Sequence, residues 1–441
     1  MINFYLSARR SLLASFVLFL TLGSVAAQSP TDTVTAYARR VLGVLCSPDL
    51  DGRGYVNKGE QRAADWLVQE YKAIGLEPVN AGSYLQPFDV EANAFPSKVE
   101  LTLNNRSLKP GIDFLVHPDA PTIKGKFKTY QLSFKEWQMP LEDLKSKAQN
   151  CVLVIKSEWI ESRNPIEKEK IREKLETLKQ NPPSWVKGVI VLQSGKLVWF
   201  PSKLQAKTAL FLVKKDKLEA DTLITKVKMN VVAELKNRTS NNVLGMIKGQ
   251  AQSDSFIVIC GHYDHLGRMG KKAYFPGAND NASGIAMLLN LAKYYKRNPH
   301  RYSVVFVCFG SEEIGLVGSQ HLVTNPIFPI KSIAFLLNLD ILGTGIDGIQ
   351  VVNGSVYKTL FERLKAINTE KKLIKEVKTR GEACISDHCF FHQLGVPSFY
   401  SYTLGGIGEY HNTIDKAETL TLEAFKPIYL LFSEFIAGIG R

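Results

Sequence analysis

Five short motifs of the sequence contain residue types that bind metal ions through oxygen and nitrogen. The candidate ligands are three carboxylates and two imidazoles: His262, Asp280, Glu313, Asp340 and His411. Three of the five, His262, Glu313 and Asp340, lie just past the ends of predicted strands, and no cysteine is needed to complete the set. Hard oxygen and borderline nitrogen donors suit zinc, with manganese or cobalt as substitutes. Two such ions about 3.5–4 Å apart can hold a water between them and lower its pKa to about 7.

Two further carboxylates stand next to candidate ligands and predict acid–base chemistry. Glu312 and Glu313 are adjacent after a predicted strand, where their charges repel unless a cation compensates them. We therefore expect Glu313 to bind metal and Glu312 to face the bound water as general base. Asp264 lies two residues after His262, on the same side of an extended chain. It is a candidate to orient that imidazole or to support the metals in another way.

Each motif alone also has a simpler structural explanation. A histidine in a polar turn, an aspartate near a helix cap and two glutamates in an exposed loop are all common. In the loop 277–284, for example, Asn281 or Ser283 can cap the helix that follows. The combination is more specific than any one motif, because all the expected ligand types occur together and in order.

The segment after Asn242 alternates between strands and helices, and this alternation positions the motifs. Strands are predicted at 255–260, 303–309 and 332–339, and a helix at 285–295. This order is typical of an α/β fold, and we predict a three-layer α/β/α sandwich with a mixed, mostly parallel central sheet. In such sheets the chemistry lies beyond the carboxyl ends of the strands. The candidate ligands are therefore expected to meet at one edge of the sheet.

The length of 441 residues predicts more than one structural unit. Between residues 93 and 235 the sequence has short β-like runs and one charged helix near 166–180, without a cluster of catalytic spacing. We predict that 93–235 is an inserted, mostly-β module. Residues 28–92 and 236–441 then form the two parts of the domain that carries the metal motifs.

The first 27 residues have the pattern of an export signal. Arg9 and Arg10 precede an apolar run at 12–25, and small residues come before a predicted cleavage site at Gln28. The run is shorter than the roughly 20 residues that span a bilayer, which disfavours the alternative of a membrane anchor. We expect export to the periplasm or outside the cell, with no stable membrane insertion after the signal is removed.

The charge distribution argues against a nucleic-acid partner. The formal net charge is +13. Lysines in the middle of the chain alternate with glutamates, however, as they do on a solvated helix face.

The six cysteines fit an oxidising compartment without defining disulfides. Cys260 and Cys308 lie in predicted buried strands, and we expect both to be unpaired. Cys384 and Cys389 are close enough in sequence to form a bridge, but the sequence alone leaves that pairing open.

The order and spacing of the motifs resemble those of the co-catalytic di-zinc aminopeptidases, a family that includes secreted bacterial leucyl aminopeptidases. The matching stretches are Gly261-His-Tyr-Asp-His-Leu-Gly, Gly277-Ala-Asn-Asp-Asn-Ala-Ser-Gly, Ser311-Glu-Glu-Ile-Gly-Leu-Val-Gly-Ser, Asn338-Leu-Asp, Ser386-Asp-His-Cys-Phe-Phe and Tyr410-His. An early Asp51-Gly-Arg-Gly also matches, and the likeness covers about 32–88 and 241–441. Some relatives carry a protease-associated β domain at the position of the insert, and the insert resembles that domain loosely.

The resemblance implies a zinc-dependent exopeptidase, most closely an aminopeptidase that hydrolyses peptides with a water activated by two zinc ions. Asp280 is implied to bridge the ions, and the four other ligands are implied to divide between them. Glu312 is implied as the general base and Asp264 as a supporting carboxylate. Tyr402 and Tyr410 are candidates to donate a hydrogen bond to the oxyanion.

Three alternatives stay open on the sequence. A carboxypeptidase of the same superfamily would use the same metals with a different pocket for the terminal charge. Glutaminyl cyclases share the fold but need one zinc, so the set of five ligands favours hydrolysis. A binding protein without catalysis would be expected to lack ligands or Glu312, and all of these are present. The substrate side chain and the oligomeric state are not determined by the sequence.

Overall fold

The computed structural model of the protein describes residues 32–157, 164–218 and 223–440. The predicted export signal, residues 1–27, lies outside these ranges. Among the described helices, none combines the length and the apolar content that crossing a membrane requires.

The helices form where apolar residues recur at helical spacing between clear end signals. Asp32 caps the first helix through its side chain, and Gly75 ends the second in the left-handed conformation, with a φ of 85°. In chain order the helices are α1 (Thr33–Leu45), α2 (Gly59–Ile74), α3 (Phe134–Gln138), α4 (Lys145–Ala148), α5 (Pro165–Gln180), α6 (Ser283–Arg297), α7 (Val317–Thr324), α8 (Lys358–Lys371), α9 (Cys389–Gln393) and α10 (Phe425–Ala437).

The strands include the continuous apolar runs that the sequence analysis singled out. In chain order they are β1 (Glu77–Pro78), β2 (Leu85–Ala94), β3 (Val99–Leu103), β4 (Arg106–Ser107), β5 (Phe114–Val116), β6 (Ile123–Gln131), β7 (Val152–Lys156), β8 (Gly188–Gln193), β9 (Leu210–Lys214), β10 (Lys226–Val231), β11 (Glu234–Ile247), β12 (Gln252–His262), β13 (Arg268–Met269), β14 (Ala273–Tyr274), β15 (Tyr302–Phe309), β16 (Ile333–Leu339), β17 (Gly348–Val352), β18 (Val377–Thr379) and β19 (Ser398–Leu404).

The main sheet has the order β1-β11-β15-β12-β16-β19-β17-β18, with β2 paired to β11. Its centre, β15-β12-β16-β19, is parallel, and antiparallel partners flank it on both sides. The sheet is therefore mixed with a parallel core, as predicted. Strand β12 is buried on both faces, which explains its unbroken apolar run.

Helices cover both faces of this sheet, which confirms the predicted three-layer α/β/α sandwich. Ile257 and Ile259 of β12 pack into the core formed with α1, α2, α6 and α10. Val258 and Cys260 point to the opposite face, where α7 and α9 pack. The sheet therefore has one apolar core on each face.

The predicted insert forms a second sheet of order β4-β3-β10-β6-β7-β8-β9-β5. Its strands run from Val99 to Val231, inside the predicted range 93–235, whose limits stay a prediction. The chain enters and leaves it through β2 and β11, which pair antiparallel with Ala94 opposite Glu234. Helices α3, α4 and α5 cover one face of the second sheet. The other face packs against residues 266–275 of the main domain.

Candidate metal centre

The motif residues meet at the carboxyl edge of the parallel strands, as the sequence predicts. His262 is the last residue of β12, and Asp340 directly follows β16. Glu312 and Glu313 follow β15 after a tight turn. Because these strands are parallel neighbours, their ends place the side chains around one point.

Asp280 lies at the centre of this cluster and faces two imidazoles with its two oxygens. Its Oδ1 is 3.3 Å from Nε2 of His262, and its Oδ2 is 2.9 Å from Nε2 of His411. Asp340 lies on the first side, with Oδ1 3.5 Å from His262 Nε2. Glu313 lies on the second, with Oε2 3.0 Å from His411 Nε2. The five predicted ligands therefore form two groups that share Asp280.

These distances fit metal coordination. Ligand atoms that bind one zinc tetrahedrally at about 2.0–2.1 Å lie roughly 3.3 Å from one another. The Oδ1 atom of Asp340 is buried and has no hydrogen-bond partner among the described residues, so it is available as a ligand. The donor set of imidazole and carboxylate, without thiolate, also suits zinc.

The electrostatics of the cluster favour bound cations as well. Burial lowers the pKa of the His262 imidazole, but the carboxylates of Glu312 and Asp340 outweigh burial and hold that pKa well above its ordinary value. Burial raises the pKa of Glu312 well above its usual range, and the nearby carboxylates of Asp387 and Glu313 raise it further. Buried negative groups thus crowd one another, and positive ions would relieve this repulsion.

Asp264 contacts the loop that carries the two glutamates. Its carboxylate accepts hydrogen bonds from the main-chain N–H groups of Glu312 at 3.0 Å and Glu313 at 3.3 Å. The Nδ1 atom of His262 lies closer to the main-chain oxygen of Asp264, at 3.2 Å, than to its carboxylate, at 3.7 Å. The carboxylate of Asp264 therefore fixes the Glu312 loop, and its main chain holds the imidazole.

His265 is a member of the cluster that was not among the predicted ligands. Its Nδ1 is 2.6 Å from Oε1 of Glu313, and within the described part of the chain its buried Nε2 has no hydrogen-bond partner. With Asp280 and Glu313 it forms a third combination close enough to hold an ion. The feature that could have identified it is its position in the Gly261-His-Tyr-Asp-His motif. That position does not distinguish a metal ligand from a residue next to one.

Three tyrosines near the cluster make different contacts: Tyr400 and Tyr402 of β19, and Tyr410 next to His411. Tyr400, which the sequence analysis did not name, donates to Oδ2 of Asp340 at 3.3 Å. Tyr402 accepts a hydrogen bond from Arg380 at 3.3 Å. Tyr410 stacks on the ring of His411, with ring centroids 3.8 Å apart. Tyr410 is thus the named candidate in direct contact with a predicted ligand.

Two buried residues, Arg53 and Asp415, hold the loop that carries Asp280 through hydrogen bonds to its main chain. The Arg53 guanidinium donates to four main-chain oxygens at 2.6–2.8 Å, those of Leu45, Tyr263, Pro276 and Gly277. The Asp415 carboxylate accepts from the main-chain N–H groups of Asn279 and Asp280 at 2.8–3.1 Å. Both residues fix the backbone from which the central carboxylate projects. Arg53 lies in the early Asp51-Gly-Arg-Gly stretch of the family resemblance, from which no role for it was predicted.

The structure confirms the two cysteines that were predicted to be unpaired and shows the pairing of two others. Cys260 and Cys308 are buried and unpaired, as predicted. Cys384 and Cys389 form a disulfide, which the sequence had left open. This bridge encloses Asp387, a fully buried carboxylate whose pKa burial raises to about 7.

Comparison with known sequences places the cluster in a family. Residues 242–436 match peptidase family M28. Aminopeptidase YwaD of Bacillus subtilis (strain 168) is 28% identical over 190 residues, which are 42% of this chain and 40% of that protein. The sequence match therefore spans less than half of the length of this relative.

Solved structures share the fold over most of the chain. A zinc aminopeptidase from Bacillus subtilis superposes with a TM-score of 0.66 at 19% identity, covering 91% of this chain and 93% of its own. An aminopeptidase from Aneurinibacillus sp. strain AM-1 gives a TM-score of 0.60 at 21% identity, covering 92% and 94%. Such identities establish the fold alone. The segment that matches the model of peptidase family M28, residues 242–436, holds every predicted ligand.

Proposed function

We propose that this protein is an exported zinc-dependent aminopeptidase that removes N-terminal residues from peptides at a two-metal centre. One observation carries the proposal: the two oxygens of Asp280 face two different imidazoles, at 3.3 Å and 2.9 Å. A carboxylate in that position can bind one ion with each oxygen. The family match and the aminopeptidase names of the relatives support hydrolysis of peptides.

In this proposal His262, Asp280 and Asp340 hold one ion, and Asp280, Glu313 and His411 hold the other. Bound zinc ions polarise a carbonyl group and lower the pKa of a coordinated water. Glu312 accepts the proton of the attacking water on its carboxylate and passes it to the leaving amine. Asp264 supports this step because it holds the main-chain N–H of Glu312 at 3.0 Å.

The test is mass spectrometry of a mixed peptide library after incubation with the purified mature protein. Parallel samples contain a strong chelator, chelator followed by zinc, or the Glu312→Gln variant. We expect loss of single residues from amino termini, abolished by chelator and restored by zinc. Removing a general base costs roughly 10²–10⁴ in rate, so the variant should be nearly inactive while still binding zinc.

Glu423→Gln is the matched control, because Glu423 is an exposed carboxylate outside the site, and this variant should cleave like the wild type. Trimming from carboxyl termini would move the protein to the carboxypeptidase alternative. Absence of cleavage by zinc-loaded protein would contradict a general peptidase and leave cyclisation or a binding role.

Export is the second part of the proposal and rests on residues 1–27 alone. The test is N-terminal sequencing of protein recovered from the periplasm and medium of bacteria that express the full chain. We expect the mature protein to begin at Gln28. Recovery only from the cytoplasm with Met1 in place would exclude export by this segment.

A further inference from the structure

A loop of the inserted module reaches the metal cluster. This module loop, residues 194–202, follows β8 and pairs with His411 through two hydrogen bonds. The main-chain N–H of Trp199 donates to the His411 carbonyl at 3.1 Å. The Trp199 carbonyl lies 2.9 Å from Nδ1 of His411. Because a carbonyl can only accept, Nδ1 of His411 donates to Trp199, while Nε2 faces the carboxylates of Asp280 and Glu313.

The module loop is fixed at this position by further contacts. The Trp199 indole stacks on Phe275, with ring centroids 5.1 Å apart, and donates to the Val116 carbonyl at 2.8 Å. The Lys196 ammonium donates to the Gly408 carbonyl at 2.8 Å and lies 3.1 Å from Oε1 of Glu409. These contacts join the loop both to the second sheet and to the segment that carries His411. The side chain that follows Trp199 is therefore held in a defined place.

That side chain is Phe200, which lies against the ligand histidine but leaves much of its ring open. Its ring centroid is 4.6 Å from that of His411, in an edge-on arrangement, and 6.5 Å from that of Tyr410. Phe200 is 46% exposed and Tyr410 is 42% exposed. Two adjacent aromatic rings thus present apolar surface beside the metal cluster. Exposed apolar surface next to a site is where a ligand's apolar group binds.

We propose that Phe200, together with Tyr410, contacts the terminal side chain of the substrate and favours substrates with large apolar terminal residues. This inference rests on the proposed aminopeptidase function and adds the inserted module to the site. In this proposal Phe200 is a specificity-determining residue, because its ring lies 4.6 Å from that of the predicted ligand His411 and is 46% exposed. Aromatic rings attract other apolar and aromatic groups beyond simple area burial.

The test compares kcat/KM for Phe-, Leu-, Ala- and Gly-p-nitroanilide in the wild type, Phe200→Ala and Phe200→Tyr. We expect Phe200→Ala to lower the ratio of kcat/KM for the Phe substrate to that for the Ala substrate about tenfold. Phe200→Tyr keeps the ring and should restore most of the ratio. The matched control is Leu204→Ala, which truncates a 66% exposed residue just beyond the module loop and should leave the ratio unchanged.

The outcomes separate a specificity role from a structural one. An equal loss for all four substrates in Phe200→Ala, with reduced zinc content, would show that Phe200 only shields His411 and would overturn the inference. An unchanged ratio would overturn it too, and would leave the aminopeptidase function standing. Failure of the wild type to cleave any of these substrates would contradict the proposed function and this inference together.

Discussion

At the scale of single residues, the buried Arg53 connects the two loops that carry the predicted ligands His262 and Asp280. Its guanidinium is fully buried and binds the main-chain oxygens of both metal loops, at Tyr263 and Gly277. Tyr263 lies between His262 and Asp264, and Gly277 is three residues before Asp280. The planar guanidinium carries five donors in a fixed arrangement, which a lysine cannot reproduce. Arg53 therefore links the two loops that carry the predicted ligands His262 and Asp280.

We predict that Arg53→Met weakens zinc binding. Without the guanidinium, four buried main-chain oxygens lose their donor, and the loops that carry His262 and Asp280 are free to shift. Changes in the residues that orient metal ligands typically cost 10- to 100-fold in affinity, and we expect a loss of about that size. The measurement is competition for zinc against a chromophoric chelator at several chelator concentrations.

Arg39→Met is the control for this variant. Arg39 also donates to main-chain oxygens, of Ala417 and Thr421, but at the surface, so its loss should leave zinc affinity unchanged. Arg53→Lys restores the charge without the donor geometry and should recover only part of the affinity. If Arg53→Met folds, by circular dichroism, and binds zinc like the wild type, Arg53 has no role in positioning the ligands.

At the scale of elements, the sequence was most informative for strands and helices whose burial determines the apolar pattern of their own residues. The apolar runs at 255–260 and 303–309 became β12 and β15, because strands buried on both faces need continuous apolar residues. The helix predicted at 285–295 is the core of α6, whose apolar residues are buried. The parallel order of these elements then placed the ligand motifs at one edge.

Contacts between distant segments could not be predicted in the same way. The hydrogen bond of Tyr400 to Asp340 and the contact of His265 with Glu313 depend on how loops fold over the sheet edge. The pairing of Trp199 with His411 joins residues 212 positions apart. Neither composition nor periodicity carries information about such pairs. The change of pattern between residues 93 and 235 predicts an insert, whereas no pattern in the sequence predicts that Trp199 pairs with His411.

At the scale of the whole molecule, one apolar core joins the inserted module to residues 266–275 of the main domain. Phe95, Trp199 and Phe211 from the insert side pack in the same cluster as Met269 and Phe275 of the main domain. Main-chain hydrogen bonds also cross between the two parts, from Gly270 to Phe95 and from Lys271 to Ser97. Domains that meet through small polar interfaces usually move and unfold independently, but an apolar interface couples them.

We therefore predict a single cooperative unfolding transition for the zinc-free protein. Separating the two parts would expose the side chains of the shared core, so neither part is expected to unfold while the other persists. The measurement is differential scanning calorimetry, in which the calorimetric and van't Hoff enthalpies should agree. Zinc is left out because ligand binding to the main domain alone would shift its stability by mass action.

Two truncations of buried leucines, one in each part, test this coupling more sharply than the wild type alone. Leu153 is fully buried under the helices of the second sheet, and Leu288 is fully buried in the main core. Each Leu→Ala change should cost about 2–5 kcal/mol. If the molecule unfolds as one unit, both variants lower the same single midpoint. If Leu153→Ala instead produces an early, separate transition, the module is an independent domain, and its contact with His411 must then depend on docking rather than on a common core.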